Sequence, residues 1–118
     1  MKIIYLFLLL CGHALADFAL QSDVMAKLKN RHVVIERPIS PRYCPCWYYW
    51  LTAHALIHGG IVFVISAWLF DLPIAFTAGI IEMVMHWGID FVKCEGWTDP
   101  NQDQLYHLIC KIIYVVKA

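Results

Sequence analysis

Apolar residues run almost unbroken over 3–20, 47–70 and 74–92, and more briefly over 105–116, with polar stretches at 22–46, 71–73 and 93–102 between them. At about 1.5 Å of rise per helical residue, each of the first three runs makes about 27 Å or more of helix, close to the thickness of a bilayer's hydrocarbon core. The pattern predicts helices over 3–21, 47–70, 74–92 and 103–117. Trp47, Tyr48, Tyr49 and Trp50 open the second helix as an interfacial aromatic cluster. Asp71-Leu72-Pro73 reads as a tight turn, and Gly96, Asp99 and Pro100 as breakers before the last helix. That helix is too short to span and carries Lys111, so it reads as partly inserted or interfacial. The expected fold is an all-α polytopic membrane helical bundle, one domain over 1–118, with three spanning helices plus a shorter fourth helix and a basic loop over 22–46.

The polar positions inside the apolar runs are not scattered. His13/Asp17, His54/His58, His86/Asp90 and Asp103/His107 are all four residues apart. Groups at that spacing share one helix face. Shuffling the His and Asp positions gives roughly one such pair in a chain of this composition. Of the six histidines only His32 is left out, and it lies in the basic loop.

Composition agrees with a membrane chain: 61% of residues are hydrophobic, far above the globular share. The formal net charge is zero, which offers nothing to nucleic acid. Five cysteines argue against a full disulfide framework. Cys11 and Cys110 read as small buried hydrophobes, and Cys44-Pro45-Cys46 as a plain loop in preference to a soft-metal or redox motif.

The first run carries two readings. It is long enough for a spanning helix, yet Lys2, the Ile3–Leu10 apolar run and Ala14-Leu15-Ala16 also fit a signal peptide cleaved before Asp17. Cleavage would discard His13. In the loop, Lys27, Lys29, Arg31, Arg37 and Arg42 outnumber Asp23 and Glu36, which under the positive-inside rule places 22–46 in the cytoplasm.

Depth then ties the pairs together. Counted from the loop side, the pairs on the three long helices lie roughly 3 to 16 Å in, and Asp103/His107 opens the fourth helix at the same end. Helices that alternate direction thus bring all four pairs to one leaflet. Imidazole and carboxylate suit a divalent transition metal, zinc or manganese before iron, and helical bundles build dinuclear centres from two ligands per helix. The candidate metal ligands are His13, Asp17, His54, His58, His86, Asp90, Asp103 and His107, enough for two ions, with some acting instead to orient the ligating rings. Glu82, one turn deeper than His86, is the candidate catalytic base or a further ligand. Gln21 continues the His13/Asp17 face, and Gly59-Gly60 reads as a helix-packing site. The competing account is that membrane His and Asp pair only to satisfy one another.

The stretch Gly12-His13-Ala14-Leu15-Ala16-Asp17-Phe18-Ala19-Leu20-Gln21-Ser22-Asp23, with His54-Ala55-Leu56-Ile57-His58, His86-Trp87-Gly88-Ile89-Asp90 and Asp103-Gln104-Leu105-Tyr106-His107, resembles the small bacterial and phage membrane proteins grouped as domain of unknown function 3307. The resemblance covers nearly the whole chain. It implies that the first helix is retained and that the chain sits in a bacterial inner membrane. A looser resemblance, resting only on the helical pairs, is to membrane-bound metal-dependent hydrolases and to zinc phospholipase C and nuclease folds; it implies phosphoester chemistry by analogy.

The function expected is that of an integral membrane metal-binding protein, a two-metal hydrolase acting at the interface on a lipid or lipid-linked phosphoester. Its expected partner is membrane lipid. The alternatives are a non-enzymatic accessory protein whose pairs hold the bundle or a homo-oligomer together, a metal or proton transporter, and a haem protein.

Overall fold

The computed structural model describes residues 1–33 and 46–118. Five α-helices account for most of them: α1 (Lys2–Ala14), α2 (Asp23–Leu28), α3 (Trp47–Ala67), α4 (Leu72–Cys94) and α5 (Pro100–Lys117). The architecture is an all-α bundle, and three of its helical segments, Lys2–Ala19, Trp47–Ala67 and Leu72–Cys94, are long and apolar enough to cross a membrane. α3 and α4 share the most extensive contact; α1 packs on α3 and α5, and α5 closes the ring against α4.

Local chemistry sets the helix ends. Asp99 caps α5 through a capping box with Gln102, and Pro100 takes the first helical position, where its missing N–H costs nothing. The expected breaker is therefore a starter, and the helix begins three residues earlier than 103. Ser22 caps α2 by accepting from the Met25 N–H, so the start of the expected basic loop is a short helix. The Cys44-Pro45 part of the Cys-Pro-Cys reading lies outside the described residues, and Cys46 is an exposed free thiol. Cys110 is buried as expected, whereas Cys11 points outward from α1.

Beyond Ala14, α1 continues as one wide π turn, Leu15–Ala19, closed by the Leu20 N–H on the Leu15 carbonyl at 2.9 Å. Asp17 sits in that turn, a backbone form concentrated at functional positions.

The bundle is apolar outside and divided inside. Ile3, Phe7, Phe18, Val64, Trp68, Phe76 and Val84 are exposed, and so are Leu105, Ile109, Ile112 and Val116 on the outer face of α5. Such a surface suits lipid and not water. At the end holding the α1 amino terminus and the α3–α4 turn, Tyr5, Leu9, Val62 and Val115 form a small core, with Tyr5 Oη 2.8 Å from Ser66 Oγ. At the opposite end the interior is polar.

Of the two adjacent glycines, Gly59 alone is a contact. A Cβ added there would meet the Gly79 carbonyl oxygen at 2.7 Å, and one added at Gly79 would meet the Gly59 carbonyl at 2.8 Å, whereas Gly60 faces open space. Without a hydrophobic driving force between helices in lipid, such close backbone approach is a main source of packing energy. Gly59→Ala should destabilise the bundle by about 1–3 kcal/mol as overpacking does, and Gly60→Ala should be neutral or slightly stabilising. Unfolding of the two variants in detergent measures the difference.

Candidate metal centre

The polar interior gathers all eight residues singled out by spacing. α1 and its π turn bring His13 and Asp17, α3 brings His54 and His58, α4 brings His86 and Asp90, and α5 brings Asp103 and His107. The last six are at most 2% exposed. His13 and Asp17 keep 11% and 8%, so the rim of the cluster lies along α1. Stacked rings join three helices: His58 and His86 have centroids 3.5 Å apart, and His86 and His107 4.1 Å.

One donor set is compact. A carboxylate oxygen of Asp17 and one ring nitrogen each of His54, His58 and His86 lie within 4.8 Å of one another and could hold a metal ion. Asp17 Oδ1 is 3.2, 3.0 and 3.8 Å from the Nε2 atoms of His54, His58 and His86. Metal bonds of about 2.0–2.1 Å in tetrahedral array place neighbouring ligands about 3.4 Å apart, so these separations fit the edges of one coordination tetrahedron. The angles add to the argument. Of these three imidazoles only His58 makes a hydrogen bond to Asp17; both nitrogens of His54 and of His86 are buried without a hydrogen-bond partner among the described residues. Donors that are close yet not aimed at each other are arranged as ligands of one ion are, and orphaned buried nitrogens otherwise cost about 1–3 kcal/mol each.

Two further groups follow in a chain: His13, His86 and His107 share His86 with the first, and Asp90, Asp103 and His107 share His107 with the second. Asp90 lies between them, with Oδ2 3.5 Å from His54 Nε2 and Oδ1 3.4 Å from His107 Nε2.

Glu82 stands behind the rings, with Oε1 3.5 Å from His86 Nδ1 and 3.9 Å from His58 Nδ1. The same oxygen is paired with the Lys111 ammonium, and both residues are 1% exposed. A carboxylate so engaged is placed to orient imidazoles.

Four residues that spacing did not mark complete the cluster. Lys111 reaches Glu82, Lys29 reaches Asp90, and Lys93 lies 2.8 Å from Asp103 Oδ2 and 3.5 Å from Asp90 Oδ1. Gln104 donates from Nε2 to Asp17 Oδ2 at 2.8 Å, and its Oε1 is 3.1 Å from His13 Nε2. Because the amide nitrogen is committed to Asp17, Oε1 accepts from His13, which places that ring's proton on Nε2. Gln21 donates to the Asp17 carbonyl and accepts from Lys29 at 2.6 Å, extending the His13/Asp17 face as its spacing suggests.

Outside the spans, Arg31 grips Glu95 with two hydrogen bonds of 2.7 and 2.8 Å, and His32 lies 3.2 Å away. The Arg31 bonds, with His32, hold the Glu95 carboxyl below the usual carboxylate range. This tether between the end of α2 and the end of α4 is therefore present above that range and released as pH falls through the lowered value.

No curated protein and no solved structure matches the chain. A family model does, over residues 5–118, and it carries the description Protein of unknown function (DUF3307). With nearly its whole length matched, the chain belongs to the domain of unknown function 3307 family.

Proposed function

We propose that this protein is a membrane metal-dependent hydrolase that works at the bilayer interface on a lipid or lipid-linked phosphoester. The observation that carries the reading is the set of Asp17, His54, His58 and His86, four donors at ligand spacing with both ring nitrogens of His54 and His86 unpartnered. Three imidazoles and one carboxylate favour zinc or manganese. When bound, such an ion supplies Lewis-acid polarisation of a phosphoryl or acyl oxygen and activates water.

The chain's own residues supply the rest. Glu82, anchored by Lys111, lies on the Nδ1 side of His86 and His58, while their Nε2 atoms face Asp17. Gln104 fixes His13 and Asp17 at the partly exposed rim, leaving His13 Nδ1 free of a hydrogen bond and able to accept a proton. The rim lies between α1 and α5, whose outward residues Phe18, Leu105 and Leu108 are exposed and apolar. A substrate reaching it from the side comes from the membrane.

A transport path would need polar groups through the other half of the bundle. There, Ser66 is held by Tyr5, and Thr77 donates to the Pro73 carbonyl, so neither is free to pass an ion. The reading as a non-enzymatic accessory protein draws support from the three lysines that already neutralise carboxylates of the cluster.

Detergent-purified wild type should carry about one transition-metal ion per chain, and should hydrolyse glycerophospholipid in mixed micelles only while it does. Stoichiometric metal without hydrolysis leaves the accessory reading. Wild type without metal removes the centre altogether. His86→Ala adds a contrast: the hydrolase reading expects metal loss from an assembled bundle, and the accessory reading expects failed assembly.

A further inference from the structure

Resting on the metal centre just proposed, we infer that Asp90, Asp103 and His107 form a second, weaker cation position now closed by the ammonium groups of Lys29 and Lys93, which a second divalent ion must displace.

The three groups offer donor atoms within 4.8 Å of one another, and all three residues are 1% exposed. Two of those atoms are unpartnered. Asp103 Oδ1 and His107 Nε2 are buried without a hydrogen bond, although only 3.6 Å separates them, so both face a common point and not each other. Asp90 completes the set from the far side, with Oδ1 3.4 Å from His107 Nε2. Its other oxygen faces His54 and His86 at 3.5 and 3.8 Å. One carboxylate thus addresses both positions, as a bridging ligand does in a two-metal site.

The lysines hold the same carboxylates, Lys93 on the Asp90 oxygen that faces His107 and Lys29 on the one that faces His54 and His86. Lys93 Nζ lies 2.8 Å from Asp103 Oδ2 and 3.5 Å from Asp90 Oδ1. Lys29 pairs with Asp90 Oδ2 and donates to Gln21 Oε1 at 2.6 Å, and it is only 4% exposed. A buried ammonium on an exposed short helix is an unusual placement, since lysine is almost never fully buried unless paired.

Charge explains why the two occupants exclude each other. Asp17, Glu82, Asp90 and Asp103 stand against Lys29, Lys93 and Lys111, so with neutral imidazoles the cluster lacks one positive charge. A first divalent ion more than supplies it. A second, with the lysines still in place, would leave a strongly positive interior where charge is poorly screened. Withdrawal of Lys29 and Lys93 on their flexible stems removes two of those charges. Lys93, which alone holds both Asp103 and the Asp90 oxygen facing His107, therefore acts as the main internal competitor that sets the affinity of the second position.

The test is a Mn²⁺ titration of detergent-purified protein, followed by electron paramagnetic resonance, where two neighbouring Mn²⁺ ions give a spin-coupled signal. Wild type should fill one position tightly and the second at least about tenfold more weakly. Lys93→Met should tighten the second at least tenfold and shift the first less than threefold. Lys93→Arg, which keeps the charge, should bind as wild type does, and Lys93→Met/Asp90→Asn should lose the coupled signal. An occupied first position with second-ion affinity unchanged in Lys93→Met overturns this inference alone. No bound Mn²⁺ in wild type or variant overturns both it and the centre on which it rests.

Discussion

Lys111→Met is expected to cost about 3–5 kcal/mol of unfolding free energy, the largest loss of stability foreseen for a single substitution here. Lys111 and Glu82 form an ion pair from which water is excluded, each residue 1% exposed. Removing the ammonium leaves the Glu82 carboxylate in the interior without a cation, its neighbouring ring nitrogens at 3.5 and 3.9 Å. The uncompensated charge, and not the loss of a favourable pair, is what destabilises. The double variant Lys111→Met/Glu82→Leu should recover most of the stability, because a buried pair and a well-packed apolar replacement are nearly equivalent. Denaturant unfolding of metal-free protein in detergent separates these cases. A single-variant loss below about 1 kcal/mol would show that Glu82 is not held as a charge.

Asp17→Asn should lower first-ion affinity by more than about 100-fold, beyond the 10–100-fold typical of residues that merely orient a ligand. Asp17 is the one carboxylate among the four compact donors, and its Oδ1 is the atom on which the three imidazoles converge. Asparagine keeps the volume and can still accept from His58 but carries no charge. The fold should persist, since Gln104 can pair with the new amide. Competition titration against a Zn²⁺ chelator reads the change directly, and an unaltered affinity would remove Asp17 from the ligand set.

The pairs themselves could be read from the chain because each is local: four residues on a helix fix two side chains on one face whatever the bundle does. Their convergence could be read too, since alternating helix direction and depth from one end are nearly one-dimensional facts in a membrane chain. Lys29, Lys111 and Gln104 could not. Lys29 meets Asp90 across 61 positions, Lys111 meets Glu82 across 29, and Gln104 meets Asp17 across 87. No periodicity links such partners. Lys111 could be read only as a mark of a partly inserted or interfacial helix, because its partner Glu82 lies on another helix. The π turn at Leu15–Ala19 has no marker in its own residues, and Pro100 shows how a residue's meaning depends on which side of a helix start it falls.

The Gly59–Gly79 contact has a mechanical consequence. Gly59 follows His58 directly and Gly79 precedes Glu82 by one turn, so this close backbone approach lies at the deep edge of the imidazoles. α3 and α4 then behave as a single stiff body that carries His54, His58, His86, Asp90 and Glu82 in fixed relation. α1 and α5, with less extensive contacts, bring the remaining donors to it. An ion bound by Asp17 and the α3–α4 imidazoles would work as a rivet through the bundle wall, and its departure would let the outer helices drift from a frame that itself stays closed.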